Sequence, residues 1–169
     1  MIYAITGDGK GKTSAGWGAM ARAYGNALKC EAILFDKETS SEAGVFAFKI
    51  QIYLCGMGRC DKGQAFRMRN TKKDRKMALN GLSIVEHRLT SQDADFLLLD
   101  EILTCEKVGL LKAEEILPVL EKRRETNLII TGRSTDGFLR NFIGKSGNIV
   151  STIVETYFDR VPTRRGIEY

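Results

Sequence analysis

Thr6-Gly7-Asp8-Gly9-Lys10-Gly11-Lys12-Thr13 is the stretch that decides the fold. An apolar run, Ile2-Tyr3-Ala4-Ile5, leads into it, and an Ala-rich stretch of helical character, residues 14–24, leaves it. Strand, glycine-rich turn, Lys-Thr and helix form the arrangement that wraps a polyphosphate. The glycines let backbone N–H groups turn inward around an anion, and the positive end of the following helix adds to the attraction. Lys12 would bring a point charge to the phosphates, and Thr13 a hydroxyl oxygen to Mg²⁺. The octapeptide departs from the usual G-x-x-x-x-G-K-[ST] in its first position, where Thr6 stands. A flexible turn before an ordinary helix is the plainer alternative, and the strand and helix on either side argue against it.

Composition bounds the rest. A chain of 169 residues, 43% apolar and 28% charged, is expected to be one soluble domain spanning 1–169. No apolar run approaches the ~20 residues of a membrane span, so no membrane partner is expected. The first residues lack the charged start and apolar centre of a signal peptide, which points to the cytoplasm and reduced thiols. Cys55-x4-Cys60 is too loosely spaced for a zinc knuckle when His87 is the sole histidine. His87 falls in a helical pattern and reads as a surface or packing residue. The net charge of +5 is uneven: residues 59–76 hold eight basic and two acidic side chains, +6 in all, leaving −1 elsewhere. That cluster is either a solvated loop and helix start or a place for an anionic ligand or nucleic acid. No nucleic-acid module accompanies it, so nucleic acid is not an expected partner.

Along the chain, Glu31-Ala-Ile-Leu-Phe35 reads as a second strand ending at Asp36-Lys37, the carboxyl end at which open α/β sheets bind ligands. The first helix stops at Gly25-Asn26 and carries Arg22, by itself a surface arginine. Residues 39–44 read as loop. Phe46, Phe48, Ile50, Ile52 and Leu54 alternate with smaller or polar residues as in a half-buried strand, and residues 55–70 read as a long loop, a length that usually serves function. Thr71-x-x-Asp74 resembles a capping box for a helix running to about residue 89, with Ala78, Leu82, Val85 and Leu89 on one face. Gly81 inside it costs about 1 kcal/mol relative to Ala. Phe96-Leu97-Leu98-Leu99 is a buried strand from whose end Asp100 and Glu101 emerge. Beside a Gly-Lys-Thr loop such acids form the Mg²⁺ side of the site; ordinary solvated acids are the alternative. A helix is expected over 112–124, with Pro118 kinking it or marking its start. Asn127-Leu-Ile-Ile-Thr131 is a buried strand followed by Gly132-Arg133, which would reach the same side of the sheet as Lys12. A helix over 135–143 and a last strand over 149–157 complete the pattern. Strands alternating with helices give an α/β, single-domain, P-loop NTPase-like fold with a largely parallel sheet flanked by helices.

With these residues in hand, the chain resembles the P-loop type of cob(I)alamin adenosyltransferase, the ATP:corrinoid adenosyltransferase family. Thr6-Gly-Asp-Gly-Lys-Gly-Lys-Thr13, Leu98-Leu-Asp-Glu101, Ile130-Thr-Gly-Arg133 and Gly166-Ile-Glu-Tyr169 carry the resemblance in the family's order, and Arg22-Ala-x-Gly25 and Leu34-Phe-Asp-Lys37 fit as well. The resemblance implies transfer of the 5′-deoxyadenosyl group of ATP to the Co(I) of a reduced corrinoid, with tripolyphosphate released, in adenosylcobalamin synthesis or salvage. It implies a nucleotide-binding set of Gly7, Asp8, Gly9, Lys10, Gly11, Lys12, Thr13, Ser14, Arg22 and Arg133. Mg²⁺ would be held by Thr13 and Glu101 with Asp100 beside them, and the transfer would be promoted by Lys12, Glu101 and Arg133. An electron donor such as a flavoprotein and a homodimer are the further partners it suggests. The sequence departs from the family where an aromatic pair caps the corrinoid: here it reads Gly56-Met-Gly-Arg-Cys60-Asp-Lys-Gly. Phe46 and Phe48 have similar spacing but read as core packing, Phe66 would substitute in part, and the basic cluster of 59–76 is expected to meet a corrinoid's nucleotide phosphate. Two other functions fit the residues alone: an NTPase or kinase acting on the γ-phosphate of ATP, and a non-catalytic nucleotide- or nucleic-acid-binding module. The products separate the first of these, since phosphoryl transfer yields ADP.

Overall fold

The computed structural model describes residues 1–47, 49–59, 67–144 and 147–154. Strands β1 (Ile2–Thr6), β2 (Cys30–Phe35), β3 (Gln51–Cys55), β4 (Phe96–Asp100), β5 (Asn127–Thr131) and β6 (Ile149–Thr152) form one sheet in the order β3-β2-β4-β5-β1-β6. Every neighbouring pair is parallel, with Leu34 level with Asp100 and Ile5 level with Thr131. Strands β1, β2, β4 and β5 carry almost no polar residue because helices cover both faces.

Helix α1 (Lys12–Gly25) covers one face, packing Trp17, Met20 and Ala23 among Ile5, Leu34, Leu98 and Ile129. It lies close because residue 16 is glycine: a Cβ there would stand 3.0 Å from Leu98 Cδ1 and from Thr131 Cγ2. Helix α3 (Lys72–Ser91) covers the other face with Ala78, Leu82, Val85 and Leu89, the four positions the helical period selects. Its capping box is formed: Asp74 N donates to Thr71 Oγ1 at 3.2 Å, and Thr71 N donates to Asp74 Oδ2 at 2.7 Å. Gly81 is placed there by packing, since a Cβ would lie 2.8 Å from the Phe35 ring and 2.9 Å from Cys55 Cβ.

Several expectations need correction. Residues 41–44, read as loop, belong to helix α2 (Ser41–Phe46), capped by Ser40, whose hydroxyl accepts from Ala43 N at 3.4 Å. The strand therefore begins at Gln51, not at Phe46. Phe46 turns onto Trp17 with ring centroids 4.9 Å apart and planes 13° from parallel. A helix end running into a strand had mimicked a two-residue alternation; Phe48 lies outside the described residues. Helix α4 (Ile102–Lys107) follows β4 directly, where no element was expected. Helix α5 (Ala113–Leu120) is shorter than 112–124 and has Pro118 inside it, two residues before its end. The helix over 135–143 is a short turn, α6 (Asp136–Phe138), continued as a π-helix over Leu139–Ile143. The last strand stops at Thr152, and the remainder of 149–157, with Gly166-Ile-Glu-Tyr169, Cys60 and Phe66, falls outside the described residues or beyond the strand. His87 is exposed on α3. Cys30, Cys55 and Cys105 are buried free thiols, and burial pushes the first two up to about 11.

Candidate functional site

The site forms at the carboxyl ends of β1, β4, β2 and β5. Thr6 is the last residue of β1, paired with Thr152 of β6, so its place calls for extended backbone rather than for glycine. The demand falls one residue later. Gly7 has φ 102° and a Cβ there would come 2.2 Å from Ile153 O. Gly9 N donates to Ile153 O at 3.0 Å, so Gly9 is required by this packing and its amide is already engaged. Gly11, at φ 100°, turns the chain into α1.

Lys12 begins α1 and is buried, its Nζ donating to Gly9 O at 2.6 Å, which folds the ammonium back across the loop. Asp100, at the end of β4, is wholly buried. Its carboxylate accepts from Thr13 Oγ1 at 3.1 Å, from Thr131 Oγ1 at 2.5 Å and from Lys37 Nζ at 2.5 Å. Burial is the largest influence on Lys37 and would lower its pKa, but the charge and hydrogen bond of Asp100, with the charges of Glu101 and Glu42, together outweigh it and raise the pKa. Glu101 leaves β4 in a left-handed conformation, φ 63°. Its N–H donates to Thr131 Oγ1 at 3.1 Å, and its carboxylate accepts from Thr104 Oγ1.

Arg133 follows Gly132, where a Cβ would stand 2.7 Å from Thr104 N. Its own N–H donates to Thr104 Oγ1 at 2.9 Å. The guanidinium reaches the loop, Nε lying 3.5 Å from Asp8 Oδ1 and Nη2 donating to Asp8 O at 3.4 Å. Lys107 comes within 3.9 Å of the same carboxylate. Arg22 is exposed in the last turn of α1, ten residues past Lys12 and so about 15 Å along the helix; it lines neither cleft.

Two clefts meet here. The smaller, about 380 Å³, is lined by Lys10, Gly11, Lys12, Thr13, Ser14 and the start of α2. The larger, about 620 Å³, extends past Arg59, Met68, Val108 and Arg133. Lys12, Lys37, Thr39 and Glu101 belong to both. The basic cluster is partly structural. Arg59 pairs with Asp36, Arg67 grips both Asp74 oxygens at 2.6 and 2.7 Å, and Arg75 reaches Glu115 at 2.9 Å. The Arg67 guanidinium holds the Asp74 carboxyl well below the usual carboxylate range. Of the expected phosphate-facing residues here, Arg67 is therefore committed to a cap, while Arg59 does line the larger cleft.

The structure brings Lys10, Lys12, Thr13, Ser14, Asp100, Glu101 and Arg133 together and leaves Arg22 apart. It adds Lys107, which no motif had singled out, and gives Lys37, expected only at the end of the second strand, a direct contact with Asp100. Oxygen donors fit Mg²⁺, which takes one or two carboxylates and leaves its other positions to phosphates and water. Thr13, Asp100 and Glu101 supply such oxygens, and the Lys37 ammonium, 3.4 Å from Thr13 Oγ1 and on Asp100, shows that a cation is drawn to that spot.

A glycine loop closed by Lys-Thr, opposite an Asp-Glu pair ending a buried parallel strand, defines a P-loop nucleotide-binding protein. Across residues 1–169 the chain matches the family described as ATP:corrinoid adenosyltransferase BtuR/CobO/CobP, and it belongs to that family. A corrinoid adenosyltransferase of Pseudomonas aeruginosa is 27% identical over 137 residues, covering 79% of this chain and 66% of its own length. One from Escherichia coli K12 is 27% identical over 139 residues, covering 79% and 67%. The chain thus spans about two thirds of the length of these curated relatives. Among the described residues, no helix is long and apolar enough to cross a membrane.

Proposed function

We propose that this chain transfers the 5′-deoxyadenosyl group of ATP to the Co(I) of a reduced corrinoid and releases tripolyphosphate. The observation that carries this reading, in a member of this family, is the pair of joined clefts. A small polar one suits a triphosphate, and a larger one with Met68 and Val108 at its wall opens beside Lys12 and Glu101. Phosphoryl transfer needs an acceptor at the γ-phosphate; adenosyl transfer needs room for a bulky partner on the ribose side. The γ-phosphate alternative is not favoured, since the curated relatives carry the transferase name.

In this reading the cobalt electron pair forms the bond to C5′, and the C5′–O bond breaks with its electrons leaving on the triphosphate. No side chain acts as nucleophile. Lys10 and Lys12 neutralise the departing charge, and Arg133, braced on Thr104 and Asp8, adds to it from the far wall. Mg²⁺ would be held by Thr13, Asp100 and Glu101 and would supply further charge neutralisation. The remaining task is to hold C5′ against the metal of the substrate, a positioning effect. Among the described residues, Met68 and Val108 are the apolar side chains that line the larger cleft and would meet the corrin, while Phe46 stacks on Trp17. One domain over 1–169, a cytoplasmic setting, a flavoprotein-type electron donor and a homodimer complete the proposal.

The test is incubation with ATP, Mg²⁺ and chemically reduced cobalamin. Conversion to the light-sensitive adenosyl spectrum, abolished in Lys12→Ala, supports it; no conversion by the intact chain rejects it.

A further inference from the structure

Lys37 lies two residues beyond β2 and sits at the junction of both clefts. Asp100 is fully buried, and a buried carboxylate is tolerated only when its charge is met. Two hydroxyls supply hydrogen bonds, but the charge is met by Lys37 Nζ at 2.5 Å. The same ammonium stands 3.4 Å from Thr13 Oγ1. It therefore occupies the two oxygens, one from the loop and one from β4, that suit Mg²⁺. Two cations repel strongly at such separations in a partly buried site. A lysine, unlike an arginine in a fixed fork, has a flexible four-carbon stem and a compact charge that can be re-aimed. The side chain is about a quarter exposed (24%) and its neighbouring space is the phosphate cleft.

We propose that Lys37 is an exchangeable counter-cation and a positioning residue. Its ammonium neutralises Asp100 until Mg²⁺ binds against Thr13 and Asp100, and it then moves onto the oxygens of the triphosphate. Metal entry and anion clamping are thereby one event. The inference rests on the nucleotide reading above and adds a role for a residue outside the glycine loop.

Mn²⁺ serves as the probe, its binding followed by the loss of the free-ion paramagnetic resonance signal. Lys37→Met keeps the stem and removes the charge. It should bind Mn²⁺ alone about tenfold more tightly than the native chain, and metal-free ATP about tenfold more weakly, the size of one charge-assisted contact. Lys37→Arg, which keeps the charge, should leave the affinity for Mn²⁺ alone near native. Unchanged or weaker Mn²⁺ binding in Lys37→Met would overturn the inference, because Lys37 would then be a fixed ion pair. If Lys37→Met does not fold, the native protein decides: Mg²⁺ alone should speed acylation of Lys37 by an amine-reactive ester, read by peptide mass spectrometry, and an unchanged rate overturns the inference. A native chain that binds no Mn²⁺ with ATP would instead overturn the nucleotide reading and this inference together.

Discussion

At the scale of single residues, the site is a set of charges placed where they cannot be ignored. Lys12 is buried and folded over the loop onto Gly9 O, so its charge faces whatever the loop encloses. Replacing it by alanine should weaken ATP binding by about 1.5–3 kcal/mol, roughly 10–150-fold, as measured by calorimetry. An affinity within twofold of native would remove Lys12 from the phosphate site. The loop residues, Asp100, Glu101 and Arg133 were legible in the sequence because each lies within a short motif or directly follows an apolar strand. Lys37 was legible as the end of β2, but its ion pair was not, because Asp100 is 63 positions away and the two meet only through the pairing of β2 with β4, which sets Leu34 level with Asp100. Thr6 in place of glycine was an anomaly on paper. It is explained by one register fact, its pairing with Thr152, which shifts the need for a left-handed residue to Gly7.

At the scale of elements, helix α3 shows how local and global choices coincide. Its cap is Thr71 with Asp74, and Asp74 is also gripped by Arg67. The folded-state pKa of Asp74 lies below its unfolded value, so the stabilisation is full above about pH 4 and lost as pH falls below that. Asp74→Ala should cost about 2 kcal/mol or more in urea unfolding at neutral pH, from a lost cap and a stranded arginine. The difference from native should shrink as pH drops from about 4 towards 2. A pH-independent difference would contradict the assignment. Gly81→Ala sets helix propensity, a gain of about 1 kcal/mol, against a Cβ 2.8 Å from the Phe35 ring. Phe35 and Cys55 are core residues without room to move, so net destabilisation of about 1–2 kcal/mol is expected from thermal melts; a stabilised variant would mean that α3 can lift off the sheet. Helix α3 was legible because its cap and its period agree over five turns. Helices α2 and α4, six residues each, were not: they are too short to show a period and are held by tertiary contacts such as Phe46 on Trp17.

At the scale of the whole molecule, the strand order carries the design. Strands β4 and β5 separate β2 from β1, so α1 crosses over them and every functional strand end opens on one rim. The alternation of strands and helices made the parallel α/β class legible, but nothing local specifies the order β3-β2-β4-β5-β1-β6, nor that the rim holds two joined clefts rather than one. The central claim is that the triphosphate leaves as one unit from the small cleft while a corrinoid faces the ribose from the large one. Phosphorus resonance of the products formed from ATP, Mg²⁺ and Co(I) cobalamin tests it most directly. The account predicts tripolyphosphate in a one-to-one ratio with adenosylcobalamin; ADP and inorganic phosphate with no adenosylated product would contradict it.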